Sequence, residues 1–350
     1  MTDPSALLER HRPRLVYDAQ EAYFADSAAI WTDSPTNELR RADGTVIAKP
    51  PTLTLDYLGT YPAQKGDVIG DRSRAYEASA RALHAQPRYA NRAYGHARRD
   101  RNGRLWLQYW LFYYYNDFKI LGNLLSGGKH EGDWELVQIE LDDDERPVRA
   151  VFTQHREAEV QPWDRVVKHG ARPLVYVARG SHANYFGPGT HWTGHWVDRA
   201  DGKGPRIDPA LEIVETDTPK WLHWPGHWGD TKAGGPLDSN SPTSPGSRRH
   251  WKDPLALIQQ ATPTRPAPQT PAPKTSVRRE GDALVVAYEA DPAATQLVVA
   301  NRPADSEEPA QVTTIDLASP RGEITIPAQS GDDDVWTSAV APDKAPSDSV

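Results

Sequence analysis

The sequence predicts a mainly β protein: an antiparallel β-sandwich front domain with one or more short helices, then a small C-terminal β-sandwich-like domain. Short runs rich in β-branched and aromatic residues recur between turn residues along the chain. Only one early stretch, Arg74 to His84, shows helical spacing, with Tyr76, Ala80 and Leu83 on one face. A proline-rich segment, Thr262 to Lys274, then divides the chain, because alternating prolines remove backbone donors and favour an extended, semi-rigid linker. The expected division is 1–261, a linker at 262–275, and 276–350.

The front domain is expected to open on a strand, RLVYDAQEAYF from Arg14. After the helical stretch come ANRAYGHARRD and the aromatic run LWLQYWLFYYYND, joined by DRNGR, whose Asn102-Gly103 step favours a tight hairpin. DWELVQIEL and RAVFTQH follow as two strands around the acidic turn DDDERP, and PLVYVARG leads into Ser181-His182. Beyond the linker, ALVVAYEA, QLVVANR, VTTIDLA, GEITIPA and VWTSAVA read as short strands. In pattern this tail resembles fibronectin type III modules, which implies a spacer or docking role.

Composition bounds the function. With 350 residues, 38% hydrophobic and 25% charged, the chain can bury a large core. Cysteine is absent, which rules out disulfides and thiolate metal sites. The N-terminus lacks an apolar signal region and no apolar run reaches 18 residues, so a cytoplasmic location is expected. The net charge of −8 is concentrated in the tail, where Ser276 to Val350 holds 14 acids and 5 bases. The near-neutral remainder has no basic stripe, so nucleic acid is not an expected partner, and peripheral contact with a membrane would meet no strong repulsion.

Eleven of the 12 tryptophans precede the linker, and HWTGHW (His191 to Trp196) is echoed by HWPGHW (His223 to Trp228). These indoles either fill a core short of Phe and Met or form an aromatic wall or lipid-facing rim.

The segment GGKHEGDWELVQIEL carries the most chemistry. On a strand, Asp133 and Glu135 share a face and Trp134 takes the other. Two such carboxylates repel unless a cation stands between them, and His130 in its Gly-flanked loop can fold back to the same point. Carboxylates with one imidazole suit calcium, magnesium or manganese. The competing reading is a solvated strand end with salt-bridged carboxylates. Neither His155 nor His169 is distinguished by its neighbours. Ser181 lacks a nucleophile elbow, which disfavours a Ser-His-Asp hydrolase, and Asp142 to Asp144 read as a hairpin tip.

WLFYYYND, HEGDWE and VARGSHANY, in that order, resemble the vacuolar protein sorting-associated protein 62 family, from about Arg14 through Pro254. The HxxDWE core is also similar to the GHRHDWE signature of the necrosis- and ethylene-inducing peptide-like toxins, whose β-sandwich holds a divalent cation. The toxin resemblance implies metal ligands at His130, Asp133 and Glu135, and at Asp117 after the aromatic strand. Glu131 and Gly132 depart from the toxins' Arg-His pair. His182 is then expected as a partner of the ligands, a ligand through water, a general base or a structural residue.

The expected function is divalent-cation-dependent recognition of a polar lipid headgroup or glycan, possible for a membrane-acting protein. The alternative is a metal-dependent hydrolase on a phosphoester or lipid, with His182 and Glu135 as catalytic groups. A purely structural cation is the third reading.

Overall fold

The computed structural model describes residues 3–120, 125–126, 128–155, 157–192, 197–230, 240–258, 270–303, 311–329 and 332–341. In chain order the strands that position the site are β1 (Arg14–Tyr17), β2 (Arg92–Arg99), β3 (Leu105–Asn116), β4 (His130–Leu141), β5 (Pro147–Gln154) and β6 (Glu157–Pro162). They continue with β7 (Lys168–His169), β8 (Arg172–Val177), β9 (Asn184–Tyr185), β10 (Arg206–Ile207) and β11 (Ala210–Val214).

The larger sheet has the order β6-β5-β4-β3-β2-β11, and the smaller one β7-β8-β1-β10 with β9 paired to β8. Strands β3 and β4 pair antiparallel from Leu105↔Leu141 to Asn116↔His130. The predicted β2–β3 hairpin is present: Asp100 accepts hydrogen bonds from the amides of Asn102 and Arg104, and Gly103 takes φ 84°. A hairpin also joins β4 to β5, where the Asp142 carboxylate accepts from the amides of Asp144 and Arg146.

Two expectations change. The pairings β1–β8 and β11–β2 are parallel, so the front is not antiparallel throughout. Parallel neighbours are joined by long crossovers, and nothing local in their sequences announces the partner. The opening strand also stops at Tyr17. Beyond it, Asp18 takes the amide of Gln20 and Glu21 takes those of Ala22 and Tyr23. These carboxylates outcompete a sheet ladder for the local backbone.

Strand β3 is buried over all twelve residues, which explains its unbroken apolar run. Trp106, Trp110, Phe112 and Tyr114 enter one core with Trp134, Trp221, Trp228 and Trp251. Leu107, Tyr109, Leu111 and Tyr113 enter the other with Val137, Ile139, Phe152, Val175 and Val177. Trp134 stands 4.9 Å from Phe112 and 5.5 Å from Trp228, ring centre to ring centre. The helix Tyr76–His84 packs on this first core through Ala80 and Leu83, as its spacing predicts.

Thus Trp224 and Trp228 of the second histidine-tryptophan repeat, and Trp221 just before it, are core residues, and a lipid-facing rim is not built from them. Residues 193–196 of the first repeat lie outside the described residues. Among the described residues, no helix is long and apolar enough to cross a membrane.

The tail forms two three-stranded sheets around Leu284, Val286, Leu297, Val299 and Ile326. Its five predicted runs are strands. A sixth, Lys274–Glu280, pairs with Ala283–Glu289. Its residues are almost all exposed, so it carries no apolar alternation to read. Of the expected linker, 262–269 lie outside the described residues.

Candidate metal and ligand site

Asp133 and Glu135 project from β4 on the side of Val137 and Ile139, while Trp134 and Leu136 enter the indole core. This is the alternation expected of a strand. Both carboxylates are 5% exposed, so the solvated strand end is set aside. Gly132 makes the approach possible. Its φ is 55°, and a Cβ there would lie 2.1 Å from the Trp228 carbonyl oxygen, a contact and a conformation open only to glycine.

His130 donates from Nδ1 to the Gly132 carbonyl at 2.7 Å. Burial holds this imidazole below its ordinary pKa despite the nearby Asp133 charge. In the neutral ring the Nε2 lone pair is left facing Asp133 Oδ1 at 3.9 Å. A backbone carbonyl fixing the far nitrogen is how metal-binding histidines are commonly oriented.

The other Asp133 oxygen accepts from His182 Nδ1 at 2.9 Å, and His182 Nε2 lies 3.8 Å from Glu21 Oε1. Tyr113 stacks on the imidazole at 3.9 Å. Burial alone would depress the His182 pKa, but its bonds to Asp133 and Glu21 push it up to about 9. Burial alone would raise Asp133, and here the His182 bond with the charges of His130, His182 and Arg248 holds it below its usual range. Glu135 goes the other way. Burial first, then the Asp133 charge, raises it, although it accepts a short hydrogen bond from Thr153.

A second buried pair lies beside the first. Asp198 accepts from His155 at 2.8 Å, from Ser181 at 2.6 Å and from Tyr185 at 2.5 Å. Against the effect of burial, Asp198 and then Glu135 push His155 up to about 9. Ser181 is therefore a donor to an aspartate and not a nucleophile beside a base. The turn carrying Ser181 and His182 depends on Gly180, at φ 70°, where a Cβ would meet the Asp117 carbonyl oxygen at 2.4 Å.

Asp117 is brought to this neighbourhood, but its carboxylate pairs with Lys129 at 2.7 Å. The pair lines a cavity of about 320 Å³ together with Tyr23, Arg74, Tyr76 and Tyr115. Tyr76 and Tyr115 stack there at 4.0 Å. Tyr23 joins the cavity to the buried cluster, lying edge-on to His182 at 6.3 Å.

The donor chemistry fits a hard divalent cation: carboxylates, an oriented neutral imidazole and no soft ligand. Among the described residues, no three acidic or imidazole side chains stand around one point ready to hold an ion. As placed, the carboxylates are balanced by His182, His155 and Arg248. Of the sequence-predicted residues, His130, Asp133, Glu135 and His182 come together and Asp117 borders them. His169 is exposed and apart. Glu21, Asp198 and Arg248 were not legible as site residues, because each arrives from a distant segment without a motif.

No family model and no curated protein matches the chain, so the expected membership of the vacuolar protein sorting-associated protein 62 family is not supported. Among solved structures, the chain is similar to one described as "Toxin fold for microbial attack and plant defense", at 13% identity and TM-score 0.38, covering 75% of this chain and 92% of that one. It is likewise similar to NLPPya in complex with mannosamine, at 13% identity and TM-score 0.36 with the same coverage. For NLPPya in complex with glucosamine the identity is 13% and the TM-score 0.29, over 49% of this chain and 68% of that one.

Proposed function

We propose that the protein recognises a glycan or the polar headgroup of a lipid through a divalent cation held by its buried carboxylate cluster. The observation that carries this reading is the juxtaposition of His130 Nε2 and Asp133 Oδ1, 3.9 Å apart, with Glu135 on the same strand face. Two ligands each about 2.0–2.5 Å from one cation adopt a separation of this size. Asp133, Glu135 and His130 would hold the ion, with Asp117 at the mouth. When bound, the cation supplies positive charge to phosphate or sugar oxygens. The neighbouring cavity supplies what a sugar ring needs, namely tyrosine faces with Arg74 and Lys129 as donors.

This reading is favoured over a hydrolase because His182 is wholly buried and held as imidazolium between two carboxylates. A general base must reach its substrate and have a free lone pair.

The test is calorimetry of chelator-stripped protein with Ca²⁺, Mg²⁺ and Mn²⁺, followed by sugar and liposome binding with and without chelator. Glucosamine and mannosamine, the sugars bound by NLPPya, serve as first probes. Asp133→Asn should abolish cation uptake and ligand binding together. Ligand binding that persists unchanged in chelator would sink the proposal.

A further inference from the structure

Strand β9 places one more polar side chain between the sheets. Asn184 is 0% exposed, and among the described residues neither its Oδ1 nor its Nδ2 has a hydrogen-bond partner. A buried amide left this way is costly, so such a group calls for a ligand, a water or an ion.

The direction of this side chain follows from the register. Asn184 lies opposite Val177 on β8, and Val177 points into the core shared with Tyr113, Val137 and Phe152. Phe186, two residues on, stacks on Phe152 at 3.9 Å in the same core. Tyr185, of opposite parity, turns away to Asp198. Asn184 therefore enters the space that Asp133 and Glu135 also face. The backbone agrees: the Asn184 carbonyl accepts from Gln154 Nε2 at 3.0 Å. The β5–β4 ladder ends at Phe152 opposite Val137, two residues from Gln154 on one strand and from Glu135 on the other.

We infer that the side-chain oxygen of Asn184 is a further ligand for the cation, the neutral donor that completes the set begun by Asp133, Glu135 and His130. This rests on the cation reading above. A carbonyl oxygen suits a hard cation and adds no charge to a crowded carboxylate cluster.

The experiment measures cation affinity by calorimetry and melting temperature with and without cation for wild type, Asn184→Leu, Asn184→Ala and Asn184→Asp. The expected result is that Leu and Ala weaken cation binding at least about tenfold and lose most of the cation-induced rise in melting temperature. Without cation, Leu should melt no lower than wild type, because an unpaired amide has been removed. Asp, which keeps an oxygen at this place, should retain affinity or tighten it. If wild type binds cation and the Leu and Ala variants bind it equally well, the inference is overturned while the cation reading stands. If wild type shows no cation binding or stabilisation, both fall. The cation-free melting temperatures separate a lost ligand from a lost fold.

Discussion

Gly132 and Gly180 decide whether the site can exist. Each has a positive φ, and at each a Cβ would collide with a carbonyl oxygen of another segment, that of Trp228 or Asp117. Replacing either with alanine should lower stability by roughly 2–4 kcal/mol, read as a drop in the chemical-denaturation midpoint, because strain and overlap act together. A milder change is expected at Glu21. It anchors the Gly180 amide at 2.8 Å and faces His182, so Glu21→Gln should leave the fold intact and weaken cation binding roughly 10–100-fold, as measured by calorimetry. Unchanged affinity would remove Glu21 from the site. Asp133 and Glu135 were legible in the sequence because period-two alternation is a local property. Glu21 was not: it sits among carboxylates that only cap turns, and its meeting with His182 depends on how two loops pack.

Strands β3 and β4 show the same division at the next scale. Their apolar patterning, hairpin turns and lengths could be read directly, since burial on both faces leaves an unbroken run of large side chains. Their neighbours were harder. Parallel pairing of β1 with β8 joins residues far apart in sequence, and the strand Lys274–Glu280 has almost no buried residue to mark it. In β4, Trp134 is enclosed by Phe112, Tyr94, Trp221 and Trp228. Trp134→Ala should cost about 3–5 kcal/mol of unfolding free energy, the usual result of emptying a filled aromatic site. Asp133→Asn, one residue away on the other face, should cost far less in cation-free protein. Equal losses in the two variants would mean that the faces are not separate in energy.

The whole molecule carries its histidines in opposed states, which shapes its response to acid. His96 is buried, bonded to Gln108 and stacked on Trp251, and burial pulls it down to about 4. His250, stacked on Trp110, is pulled down to about 3 in the same way. Between pH 6.5, the ordinary histidine value, and these depressed values, the unfolded chain binds protons that the folded chain refuses. Stability from this source is present above 6.5 and is lost as pH falls through the window, by about 1.4 kcal/mol per pH unit for each group. Buried carboxyls such as Glu131, raised to about 7, act with the opposite sign in part of this range. The informative quantity is therefore a difference: His96→Gln with His250→Gln should flatten the loss of stability between pH 6.5 and 4 relative to wild type. Parallel curves for the two proteins would refute the assignment.

The central sheet has a spectroscopic consequence. Asp133 and Trp134 are consecutive residues on opposite faces of β4, one in the polar cluster and the other packed among indoles. Any ligand that draws on the carboxylate must tug the backbone of a native fluorophore whose ring neighbours are within energy-transfer range. Binding should thus change tryptophan emission without an attached dye. The absence of cysteine means that no thiol chemistry or reductant need complicate the measurement.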